Sequence, residues 1–85
     1  MVRERKPIQG EKARRVLQAA AVEAFGRPGA YVAQDLIMRR VNMVDSEHFI
    51  LMAEYLEECG WIAEADPDYG VFVLTPEGID AATHT

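Results

Sequence analysis

At Gly60 the spacing of the apolar residues changes character. Before it they recur every three or four positions, the period of a helix packed on one side; after it, residues 61–65 and 71–74 read as extended runs. The chain must therefore set helices first and a β-hairpin after them. With 85 residues there is room for one small domain and no second one. Such a domain buries a modest share of its surface, about 60–65%, so help from self-association is expected. A single cysteine offers neither an internal disulfide nor a zinc-finger spacing.

The first helix is written most clearly. Ala13, Val16, Leu17, Ala20, Ala21, Ala24 and Phe25 form one continuous helical stripe. Gly26, with Pro28 just beyond, reads as its stop, glycine taking the left-handed residue. A second helix is expected from Tyr31 to Arg40, with Ala33, Leu36 and Ile37 inward. Asp45 reads as the N-cap of a third helix, and Val44 and Phe49 stand where a hydrophobic staple would form. That helix stops at Gly60. In the hairpin, Asp66-Pro67-Asp68-Tyr69-Gly70 is a turn, and Ile62, Phe72 and Leu74 point inward. Thr75-Pro76 then reads as N-cap and first residue of a short last helix.

The segment Leu56-Glu57-Glu58-Cys59-Gly60-Trp61-Ile62 and the closing Leu74-Thr75-Pro76-Glu77-Gly78-Ile79 carry a resemblance to the winged helix-turn-helix superfamily, spanning roughly residues 11–82. The resemblance implies a mainly α fold with a β-hairpin wing, in the order α-α-α-β-β-α. Residues 1–9 are then a basic flexible arm and residues 10–85 a single winged-helix domain. It also implies that the third helix reads DNA, through Ser46, Glu47, His48, Ile50, Leu51 and Glu54.

The charges speak against that use. All nine Lys and Arg lie in residues 1–40, beside four acids; residues 41–85 hold ten acids and no Lys or Arg. The outward side of the third helix carries Glu47, Glu54, Glu57 and Glu58, with Ile50 and Leu51 among them. Affinity for DNA comes largely from neutralising phosphates, and carboxylates oppose it. The wing adds Glu64, Asp66 and Asp68. Any nucleic-acid contact is instead expected from Arg3, Arg5, Lys6, Lys12, Arg14, Arg15, Arg39 and Arg40; the plainer reading of these is a solvated arm and helix face.

The apolar residues suggest another use. Alternation sends Trp61, Ala63, Val71 and Val73 to the outer face of the hairpin, and Ile50, Leu51 and Tyr55 add apolar area on the third helix. These seven are the candidate interface, unless helix one or the arm covers the patch in the monomer. Catalysis is not expected: the two histidines are far apart in sequence, Cys59 sits at a negative helix end, and no nucleotide or metal motif is present. No cofactor or metal is called for. No apolar run is long enough to span a membrane and the basic N-terminus does not read as a signal peptide; the lone cysteine suits a reducing, cytoplasmic setting. The sequence thus points to a regulatory module acting through homodimerisation or another protein. The alternative is a transcriptional regulator gripping phosphates through its basic arm and first two helices.

Overall fold

A computed structural model describes residues 10–66 and 68–83. Four helices, α1 (Gly10–Glu23), α2 (Gln34–Arg40), α3 (Ser46–Glu58) and α4 (Pro76–Thr83), pack with a three-stranded antiparallel sheet. The strands are β1 (Val32–Ala33), β2 (Ile62–Asp66) and β3 (Val71–Leu74), in the order β1-β3-β2. The expected arm at residues 1–9 lies outside the described residues.

α1 is the central helix and touches α2, α3 and α4. Its stripe is buried as the spacing predicts: Ala13, Val16, Leu17, Ala20, Ala21 and Ala24, joined by Ala19. Alanine's small side chain lets three helices approach one helix closely. Phe49 of α3 meets Phe72 of β3 edge to face, with ring centroids 5.7 Å apart, and seals the core between helix and sheet.

Three helices end with the same pair of backbone bonds. Gly26 N–H donates to Ala21 O and Phe25 N–H to Val22 O; Met43 N–H donates to Met38 O and Asn42 N–H to Arg39 O; Trp61 N–H donates to Leu56 O and Gly60 N–H to Glu57 O. Each is a Schellman closure built on a left-handed residue. Gly60 (φ 78°) fills that place as expected and Asn42 (φ 59°) tolerates it. At α1 Gly26 is left-handed as expected (φ 68°), but the closure's own left-handed place falls to the residue before it. Phe25 takes it at φ 56°, which swings the ring off the stripe and leaves it 85% exposed.

The second helix also differs from expectation. Val32 and Ala33 form β1, paired with Phe72 and Val71, and α2 begins only at Gln34. Val32 is β-branched and buried, and Gln34 N–H continues the contact by donating to Gly70 O at 2.7 Å. The sheet therefore has a third strand beyond the hairpin, and β3 is its centre. Ile37 is buried as predicted, whereas Leu36 is 42% exposed because the short α2 buries a narrower face.

The third helix is capped as read: the Asp45 carboxylate accepts from Glu47 N–H at 3.0 Å. The staple is absent, since Val44 is 95% exposed. Ile62, Phe72 and Leu74 point inward. Between Glu64 and Asp66 the pairing of β2 with β3 slips, leaving Ala65 as a bulge. In the turn, Asp66 accepts from Asp68 N–H through its side chain and from Tyr69 N–H through its carbonyl.

Thr75 joins three elements. Its Oγ1 accepts from Gly78 N–H at 2.9 Å, capping α4, and donates to Gly60 O at 2.6 Å. Its own N–H donates to Trp61 O. A Cβ on Gly78 would lie 1.9 Å from Trp61 O, so only glycine lets α4 sit this close to the start of β2.

Candidate functional site

Two charged surfaces emerge, and the fold keeps them apart. The acidic one is a groove of about 320 Å³ between α3 and the hairpin. Ile50, Ala53 and Phe72 supply its apolar lining, and Glu54, Glu57 and Glu64 line it with carboxylates. Register explains the presence of Glu64. It stands opposite Phe72 on β3 and therefore shares the face that turns toward α3. Gln34 and Gly70 also line the groove, and Gln34 Oε1 lies 3.1 Å from where a Cβ on Gly70 would stand.

These acids disturb one another. The Glu57 carboxyl is pushed above its ordinary pKa, first by loss of solvent and then by the charges of Glu64 and Glu54; a hydrogen bond with the Glu64 backbone partly offsets this. No Lys or Arg occurs anywhere in residues 41–85 to balance them.

The basic surface lies where α1 meets the end of α2. Lys12 and Arg15 line one hollow with Val41, Asn42 and Met43; Arg15 and Arg40 line an adjoining one of about 270 Å³. Here opposite charges are close at hand. Arg40 Nε donates to Glu23 Oε2 at 2.8 Å, and Arg15 lies 3.9 Å from Glu11, one turn earlier. Arg14 and Arg39 are exposed. Arg3, Arg5 and Lys6 lie outside the described residues.

The seven candidate interface residues do not form one patch. Ala63 is exposed and pairs with the half-buried Val73 on the sheet's outer face, where half-buried Val71 pairs with Ala33 of β1. Ile50 and Leu51 are exposed on α3. The pleat puts the first group on the side of the sheet opposite Phe72, away from the groove that Ile50 lines. Tyr55 and Trp61 are half-buried and pack against the core, so Trp61 is less available than alternation predicts. Among the DNA-reading positions that the resemblance implies, Ser46, Glu47 and Glu54 are exposed and His48 is half-buried.

Sequence reasoning missed a further apolar feature. Val22 is 52% exposed, and with Phe25 it borders a hollow of about 500 Å³ that reaches Ala82 on α4. The stripe runs unbroken to Phe25, so periodicity gave no sign that the ring turns outward. Among the described residues no group of three or more His, Cys, Asp or Glu is placed to hold a metal ion, and no helix is long and apolar enough to cross a membrane. No family model, curated protein or solved structure matches the chain.

Proposed function

We propose that this chain is a winged helix-turn-helix module that works by binding protein, most simply another copy of itself, and not by laying α3 in the major groove. The layout of helices, then a hairpin, then a last short helix is compatible with the winged-helix reading; the strand β1 before α2 is an addition to the expected order. The observation that carries the functional reading is the side of the molecule formed by α3 and the hairpin. Where a DNA reader needs cations, it presents Glu54, Glu57 and Glu64 in a groove of mixed polar and apolar lining, with exposed Ile50 and Leu51. Repulsion from phosphate disfavours DNA there. The same mixture of apolar area and charge suits a protein surface of opposite sign.

A second reading rests on the convergence of Lys12, Arg15 and Arg40 around adjoining hollows. In it, the chain regulates transcription by gripping phosphates through its basic side. Sedimentation over a range of concentrations, with retention of random duplex DNA measured in parallel, separates the two. Concentration-dependent association without duplex retention supports the interaction module. Duplex binding with a steep salt slope, weakened by Arg14→Ala and Arg15→Ala, overturns it in favour of the second reading.

A further inference from the structure

The groove between α3 and the hairpin is more than a collection of acids, because Ile50, Ala53 and Phe72 share its lining with the carboxylates and Gln34. An occupant must bring positive charge and aliphatic surface together. Lysine and arginine do this in one side chain, burying the stem while the head stays polar. The chain itself holds such a segment. On the first turns of α1, Lys12 and Arg14 are exposed on opposite flanks of the helix, with the Glu11–Arg15 pair between them on the solvent side, and among the described residues neither forms an ion pair. They do not serve the groove of their own copy. α1 is fixed against α3 by its buried alanine face, and the ion pairs of its neighbourhood run to Glu11 and Glu23.

We propose that the α3–hairpin groove seats the first turns of α1 from a second copy, setting Lys12 and Arg14 against Glu54, Glu57 and Glu64. This rests on the protein-binding reading and names its partner and site. Every copy carries both the groove and the α1 surface, so copies exchange the contact reciprocally about a two-fold axis or pass it head-to-tail, in a ring if the rotation closes and in a chain if it does not. The excess of acid on one side and of base on the other orients the encounter.

The test is sedimentation velocity of the full chain in low and high salt. The wild type associates in low salt, and its association weakens at least about tenfold in high salt as the charges are screened. Glu57→Lys with Glu64→Lys, and separately Lys12→Glu with Arg14→Glu, each give monomers in low salt. Mixed in equal amounts, the two variants associate again, because both contacts then pair opposite charges. Glu57→Gln with Glu64→Gln, which leaves no new cation in the groove, also weakens association. All four positions are wholly or partly open to solvent, and circular dichroism checks that helix content is kept. A wild type that stays monomeric in low salt overturns the proposal, as does a mixture that stays monomeric. Variants that associate as well as the wild type also overturn it, but leave the protein-binding reading standing through another surface.

Discussion

The ends of α1 and α3 close with the same two backbone hydrogen bonds, yet they do different things. At α3 the left-handed residue is Gly60, and the next carbonyl, that of Trp61, accepts from Thr75 N–H. Thr75 Oγ1 reaches back to Gly60 O, and Gly78 fits beneath. At α1 that place is held by Phe25, followed by left-handed Gly26, and the Phe25 ring stands 85% exposed. Backbone geometry alone does not separate a joint from a surface feature; what packs on it does. The α3–β2–α4 joint holds the acidic groove's two walls in register. The end of α1 carries a residue that sits poorly in its conformation and loses little by it.

Four substitutions sharpen or break this contrast. Gly78→Ala has the largest expected effect, because the new Cβ meets a backbone carbonyl that cannot rotate away. It is expected to cost about 3 kcal/mol, the upper part of the range for overpacking. A thermal melt unchanged from the wild type would show that the joint is soft. Thr75→Ala removes the cap of α4 and the link to Gly60, and is expected to cost about 1–2 kcal/mol in urea unfolding. A smaller loss than at Asp45→Ala, which removes a cap alone, would deny the joint its special weight.

Phe25→Gly acts in the opposite direction. Relief of the left-handed strain is worth roughly 1–2 kcal/mol, against about 0.5–1 kcal/mol lost to the freer unfolded chain, so a small net gain is expected. Destabilisation would mean that the ring packs on something. Glu57→Gln is the smallest change. The carboxyl's pKa is raised in the folded state, so the fold binds its proton more tightly than the unfolded chain does. Stability due to this group is therefore greatest in acid, and falls as pH rises from the unfolded pKa through the folded one. The substitution should stabilise slightly at neutral pH and lose that advantage in acid, with solvent keeping the difference small. Equal effects at both pH values would remove the repulsion from the account.

Local chemistry made much of the framework legible. The alanine stripe of α1, the caps at Asp45 and Thr75, the glycine at 60 and the inward alternation of Ile62, Phe72 and Leu74 each depend on near neighbours in sequence. What escaped depends on distant ones. Two residues carry no period, so β1 is defined only by its pairing with β3. Phe25 and Val44 both fit a hydrophobic pattern, but the chain turns at each before the pattern can be used. The candidate site divides in the same way. Ile50, Leu51 and Glu54 are readable on a helical wheel, whereas Glu64 joins Glu57 only through the hairpin's register.

The shape of the sheet limits how copies of this protein can meet. Its two outer strands offer free backbone groups, but β1 is two residues long and β2 is broken by the bulge at Ala65 beside Glu64. A short rim and a kinked, charged one are poor templates for adding strands from another molecule. The self-contact proposed above runs through side chains, which salt and single substitutions can undo, and not through runaway cross-strand growth.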